Sequence, residues 1–214
     1  SEEDKFNFEL LKNIKQFPHE KFFKGTINNI NSAINSWDQA QSNINDKNKL
    51  IFLKTHSALV KINDKPFTSR KHTIGGIYIV RDPRNVITSI SNHYQLSFEN
   101  ALKFMTNNRK YLLNKKDKEN YANFTFINSW SEHYRSWVQS KDLKILLIKY
   151  EDLEKDPVNT FKKIVKFVNK ITKKNDAIDD KRLRNIIESI SFEQLKYKER
   201  KEGFPEAIRS TQNK

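Results

Sequence analysis

Three short apolar runs stand out along an otherwise polar chain. They are Leu50-Ile51-Phe52-Leu53, Ile74 to Val80 with Gly75-Gly76 inside it, and Leu143 to Ile148. Each is continuous rather than alternating and ends at a basic residue or a Lys-Tyr pair, the pattern of a strand covered on both faces, as in a parallel sheet. Between and after them the apolar spacing turns helical. Asp82-Pro83 and Asp156-Pro157 each set a capping aspartate before a proline at the first helical position. Beyond the second, Phe161, Ile164, Val165 and Val168 share one helix face. Tyr121 to Val138, with Phe126, Trp130, Tyr134 and Trp137, reads as one amphipathic helix, and Asp180 to Ile190 as another. The first fifty residues read as polar helix and loop, with Phe6, Phe8, Leu10, Leu11 and Ile14 on a possible helix face. Strands alternating with helices predict an α/β layered domain with right-handed crossovers.

Composition fits one folded domain over residues 1–214. The chain has 214 residues, 36% of them hydrophobic, with 15 Phe, 7 Tyr and 3 Trp, enough apolar material to offset the entropy of folding. No repeat or Pro- or Ser-rich linker divides it. No apolar run reaches the roughly 20 residues of a membrane-spanning helix. With no cysteine there is no disulfide framework or thiolate metal site, and the acidic start Ser1-Glu2-Glu3-Asp4 is no signal peptide; cytoplasmic is the default expectation. A net charge of +14 attracts polyanions: nucleic acid, an anionic membrane surface, acidic glycans or a multiply phosphorylated nucleotide. Lys115-Lys116 and Lys173-Lys174 read equally well as solvated faces.

The stretch Ile77-Tyr78-Ile79-Val80-Arg81-Asp82-Pro83-Arg84-Asn85-Val86-Ile87-Thr88-Ser89 is the most informative. A buried strand ends, an arginine follows at once, and a capped helix begins. Ligands of open α/β sheets bind beyond the carboxyl ends of strands, and a helix N-terminus presents unpaired N–H groups suited to a phosphate. Arg81 brings a forked donor for bidentate phosphate binding. Ser89, about two turns on, can add a hydroxyl from the same side. The plainer alternative pairs Arg81 with a carboxylate and leaves Ser89 as an ordinary helix-face serine.

This stretch resembles the 3′-phosphate-binding motif of the sulfotransferases that use 3′-phosphoadenosine 5′-phosphosulfate (PAPS). Lys54-Thr55-His56 resembles the family's Lys-Thr-His element. Ser129-Trp130-Ser131-Glu132-His133 with Trp137 resembles the helix leading into the next strand. Tyr150-Glu151-Asp152-Leu153-Glu154-Lys155-Asp156-Pro157 resembles the Tyr-Glu-Asp-Leu segment after that strand. Ser191-Phe192-Glu193-Gln194-Leu195-Lys196 is a fainter match. These fall in family order, and the resemblance covers roughly residues 50 to 198. It implies a P-loop-NTPase-like three-layer domain with a central, mostly parallel sheet flanked by helices.

The same resemblance implies roles. Arg81 and Ser89 would bind the 3′-phosphate, and Tyr150 and Phe192 the nucleoside, with Phe192 offering a face to adenine. His56 would be the general base for a hydroxyl or amine acceptor, and Lys54 would steady negative charge on the sulfuryl or bridging oxygen. No metal is implied. Outside the resemblance, Tyr150 and Phe192 read as plain core, as do Trp130 and Trp137, and Glu151 and Asp152 as strand-end or capping groups. The acceptor is a small molecule or a glycan, met by variable loops such as Phe17-Pro18 and Ser57 to Thr73; His93 and Tyr94 are further guesses for that pocket.

The sequence departs from the family at both ends. A strand and a Ser/Thr/Gly-rich loop with a lysine, which grip the 5′-phosphosulfate, have no counterpart before residue 50. The late Arg-Lys-Gly loop has only an echo in Arg200-Lys201-Glu202-Gly203. Two expectations follow: a piece of a larger sulfotransferase, or a homologue that binds nucleotide or polyanion with impaired transfer. A basic nucleic-acid-binding protein is the rival from another class, disfavoured by the lack of a recognised binding signature. A P-loop kinase is disfavoured because no GxxxxGK[ST] occurs.

Overall fold

The computed structural model describes residues 15–44, 50–113 and 120–202. The possible helix face at Phe6 to Ile14, Lys115-Lys116 and Gly203 onward lie outside them. Residues 15–150 form one compact unit, and the described residues from Glu151 onward form another.

The core of the first unit is built largely from a stretch that reads as polar in sequence. Strand β1 (Lys15–Gln16) leads through Phe17 into a 3-10 turn (Glu20–Phe22) and helix α1 (Ile30–Ser42). Asn29 caps α1, its side chain accepting from the Ser32 amide at 2.8 Å. Ala33, Ile34, Trp37 and Ala40 form the buried stripe, at the spacing of one helix face. Phe17, Phe22, Phe67 and Phe124 pack on it. The Trp37 ring meets Phe67 edge-on at 5.3 Å and stacks on Phe124 at 6.5 Å. Phe17, expected in a variable acceptor loop, is therefore core.

Strand β2 (Leu53–Lys54) pairs in parallel with β1, Lys15 opposite Leu53. The run 50–53 was expected as a buried strand. Only its end is strand, and Leu50, Phe52 and Leu53 are exposed, because it has one strand neighbour two residues long and no described layer covers it. Ser57 and Ala58 are fully buried, so the start of the expected Ser57–Thr73 loop is core as well. Strands β3 (Lys61–Ile62) and β4 (Lys65–Pro66) follow as a hairpin. Its turn puts Asn63 and Asp64 at positive φ, as a two-residue type I′ turn demands.

Strand β5 (Gly76–Val80) runs into helix α2 (Pro83–Tyr94), then α3 (Phe98–Thr106). A second hairpin pairs β6 (Tyr111–Leu112) with β7 (Thr125–Phe126) across a 3-10 turn at Tyr121–Asn123. The long helix expected over 121–138 is thus only helix α4 (Trp130–Val138). Thr125 and Phe126 suit a strand, Asn128 sits at φ 67°, and Ser129 starts the helix by accepting from the Glu132 amide. Strand β8 (Ile145–Lys149) then returns parallel to β5, in register from Gly76–Ile145 to Val80–Lys149. Ile79 remains 53% exposed and Leu147 36%, so this pair is not covered on both faces along its length. Among the described residues the strands form four two-stranded pieces, β1–β2 and β5–β8 being parallel.

Helix α5 (Tyr150–Lys155) starts where β8 stops, and α6 (Pro157–Thr172), α7 (Asp180–Ser189) and α8 (Phe192–Glu202) follow. Asp156 and Asp179 cap α6 and α7 as N-cap residues. Thr160 is buried and donates its hydroxyl to the Asp152 carbonyl at 3.1 Å. Lys162 pairs with Asp180 at 2.7 Å.

Candidate functional site: two strand ends and a clamped segment

The in-register pairing of β5 and β8 carries Arg81 and Tyr150 off the sheet side by side. The Arg81 guanidinium lies over the Tyr150 ring at 4.6 Å, a cation–π contact. Its Nε is buried and has no hydrogen-bond partner among the described residues. Among the described residues no carboxylate pairs with it. A buried donor left unmade costs free energy, and here it belongs to the side chain at the mouth of a strand–helix junction. Asp82 instead holds Arg84: its carboxylate accepts from the Arg84 amide at 2.8 Å and from the guanidinium. Those bonds depress the Asp82 carboxyl to about 2. Asp82 therefore stays ionised as the N-cap of α2.

Ser89 is exposed on α2, and no hydrogen bond links it to Arg81. Lys54 is half-buried at the end of β2, and His56 is exposed two residues on. Phe192 opens α8, and its side chain lies outside the described residues. The structure thus brings Arg81 and Tyr150 together and holds Lys54 and His56 on one segment, and no hydrogen bond joins Ser89 to either pair. Tyr94, guessed for the acceptor pocket, stacks on Phe104 at 5.2 Å.

The segment after β2 is held by helix α4. Trp137 Nε1 donates to the Ser57 carbonyl at 3.0 Å, and the Leu59 amide donates to Ser136 Oγ at 3.0 Å. His133 Nε2 lies 3.3 Å from the His56 carbonyl, and its Nδ1 lies 2.9 Å from the Tyr78 hydroxyl. A carbonyl only accepts, so His133 Nε2 carries the proton. Burial pushes the His133 imidazole down from its ordinary value, favouring the neutral ring. Nδ1 then accepts from Tyr78, whose hydroxyl burial pushes up to about 12. Helix α4 packs close over β5 at Gly76, where a Cβ would meet the Trp137 ring in ordinary contact at 3.5 Å and crowd Ile145 Cδ1 on β8 at 3.1 Å. Trp137, read as core from sequence, is core and clamp together. The sequence offered one signal for this role, His133 and Trp137 four apart on one helix face.

A cationic donor at the carboxyl end of a parallel strand, beside a capped helix, is an arrangement of α/β proteins suited to a phosphate. The family is narrower than that class. A model of the sulfotransferase domain matches residues 5–210, and the chain belongs to that family. It is 34% identical over 79 residues to sulfotransferase 1C2 of Homo sapiens, covering 34% of this chain and 25% of the relative. It is 31% identical over 115 residues to the 3-alpha-hydroxysteroid sulfotransferase of Cavia porcellus, covering 53% and 37%. It is 28% identical over 145 residues to sulfotransferase 1B1 of Mus musculus, covering 67% and 43%. The matches therefore span less than half the length of these relatives. The structure of mouse sulfotransferase SULT7A1 complexed with PAP superposes with a TM-score of 0.52 at 24% identity, covering 74% of this chain and 52% of that one. The fold is that of the sulfotransferases, α/β with parallel strands at its site.

Proposed function

We propose that this chain binds PAPS and directs its sulfuryl group to the hydroxyl or amine of a small acceptor. One observation carries this reading: Arg81, at the family's phosphate-binding position, presents a buried donor that no group among the described residues uses. Such a donor fits the 3′-phosphate that sets PAPS apart from other adenine nucleotides, since an arginine fork matches two phosphate oxygens. Tyr150 holds the guanidinium from behind and flanks the nucleoside. Ser89 adds a hydroxyl to the phosphate, and Phe192 a face to adenine. One domain over residues 1–214 is proposed to house the site; the single family model running through both compact units supports it.

PAPS supplies an activated sulfuryl group whose sulfur–oxygen bond to the 5′-phosphate breaks as the acceptor oxygen bonds to sulfur. His56 takes the proton from the acceptor hydroxyl, and Lys54 steadies the negative charge that grows on the sulfuryl and bridging oxygens. No metal ion enters this chemistry as proposed. The relatives' names include a hydroxysteroid and a luciferin sulfotransferase, which favours a small hydroxylated acceptor over a glycan.

The test is thermal stability with adenosine 3′,5′-bisphosphate against 5′-AMP, on wild type and Arg81→Ala. A ligand at a hundred times its Kd stabilises by about 2.7 kcal/mol. Stabilisation by the bisphosphate alone, lost in Arg81→Ala, is expected. Equal stabilisation by both nucleotides, or an effect indifferent to Arg81, would overturn the reading.

A further inference from the structure

His133 has no part in the roles above, yet its ring bridges two segments that do. On one side it takes the hydroxyl of Tyr78, on β5 three residues before Arg81. On the other it reaches the carbonyl of His56, two residues past β2. The Tyr78 ring is fixed in turn, 5.6 Å from His133, 6.1 Å from Tyr134 and 6.3 Å from Trp137. The bridge is polar, directional and partly buried, so each partner is costly to leave unmet. A shift of β5 is passed to the His56 backbone through two hydrogen bonds and one rigid ring.

We propose that His133, as its Nε2–H tautomer, is a positioning residue that ties the His56 segment to the strand end bearing Arg81, so that nucleotide and base are held in one register. This rests on the reading of His56 as the base. Tyr78 belongs to the same device: its hydroxyl donates to Nδ1 and so fixes which nitrogen keeps the proton. His133 touches no reacting atom here. Its effect is on where His56 stands, and misplacing a catalytic group by about 1 Å can cost on the order of a hundredfold in rate.

Three variants test it: His133→Phe keeps a ring and loses both bonds, His133→Gln keeps an N–H donor toward the His56 carbonyl, and Tyr78→Phe removes the fixing hydroxyl. The first readout needs no activity. Nitrogen-15 spectra of the imidazoles should show His133 protonated at Nε2 and bare at Nδ1 at pH 7.5. In His133→Phe the His56 ring and the Ser57 and Ala58 amide signals should shift or broaden, and His133→Gln should restore them. The second readout is sulfuryl transfer from PAPS to 4-nitrophenol. His133→Phe should lower kcat by roughly tenfold to a hundredfold with the KM for PAPS within about twofold, and His133→Gln should recover most of it. Tyr78→Phe should fall between them.

An Nδ1–H tautomer, undisturbed His56 signals in His133→Phe, or a wild-type kcat in that variant would each overturn the proposal. Wild type that binds the bisphosphate but transfers nothing would instead refute the reading of this chain as a transferase, while the tautomer and the His56 signals still decide the tie.

Discussion

Two tryptophans of the same unit offer a controlled comparison, because one has its indole N–H satisfied and the other does not. Trp37 is completely buried, and its Nε1 has no hydrogen-bond partner among the described residues. Trp137 is nearly as buried, and its Nε1 donates to the Ser57 carbonyl at 3.0 Å. Substituting phenylalanine removes the same atoms from each. In Trp137→Phe a made bond worth about 0.5–1.5 kcal/mol is lost, and the buried Ser57 carbonyl is stranded at about 1–3 kcal/mol. In Trp37→Phe a stranded donor is removed, returning about 1–3 kcal/mol against the packing loss. The packing loss should if anything be larger at Trp37, which touches both Phe67 and Phe124. Set against that larger packing loss, these terms should still leave Trp137→Phe the more destabilised, by on the order of 2–4 kcal/mol. At about 2–4 °C per kcal/mol for a chain of this size, the two Tm values should differ by roughly 4–16 °C. Urea and thermal unfolding followed by far-ultraviolet circular dichroism would measure it, since fluorescence is altered by the substitutions themselves. Equal destabilisation, or a larger loss in Trp37→Phe, would refute the view that this hydrogen bond, rather than ring burial, sets what each indole contributes.

Other outcomes follow from the same geometry. His133 titrates below its ordinary value in the fold, so the unfolded chain takes up a proton first as pH falls. Its contribution is present above about pH 6.5 and lost below it. The groups facing it are Tyr78 and His56, while neighbouring Glu132 pairs with Arg135 at 2.7 Å; the Tm drop between pH 7.5 and 5.5 should be smaller in His133→Gln than in wild type. Asp82 sits near 2 because of Arg84, so its contribution persists down to about pH 4 and is lost between there and pH 2; Asp82→Asn should flatten that acid limb in pH-dependent unfolding. Ser129→Ala removes the cap of α4 and should cost about 1 kcal/mol by urea unfolding, with the Ser57 and Ala58 amide signals disturbed as well. Asp64→Gly in the β3–β4 turn, where Asp64 has φ 62°, should raise the Tm, because glycine meets that conformation without strain.

Much of the site was legible because it lies where local and tertiary signals coincide. The continuous run ending at Val80 and the Asp82-Pro83 cap place Arg81 at a strand end by local pattern alone, and the Asp156-Pro157 cap and the Asp180 helix are equally local. What sequence missed depended on long-range partners. Helix α1 reads as polar because Asn31, Ser32, Asn35 and Ser36 surround its stripe, and only aromatic rings arriving from Phe17, Phe67 and Phe124 make Trp37 the centre of a core. The apolar spacing from Tyr121 to Val138 fits a helix, but pairing with Tyr111–Leu112 and the positive φ at Asn128 claim its first half for a strand and a turn. His133 was visible only as part of a motif, since its partners Tyr78 and His56 lie 55 and 77 residues away.

The hydrogen bonds from α4 to the segment after β2 also govern how that segment opens. The Leu59 amide is held by Ser136 Oγ and the Ala58 amide by the Phe126 carbonyl, so neither can exchange with solvent deuterium unless α4 or β7 lets go. Residues that look like a loop thus belong to the same cooperative opening unit as a helix more than seventy positions away. The backbone just past His56 should exchange slowly, at rates that track α4 rather than chain neighbours such as the β3–β4 turn.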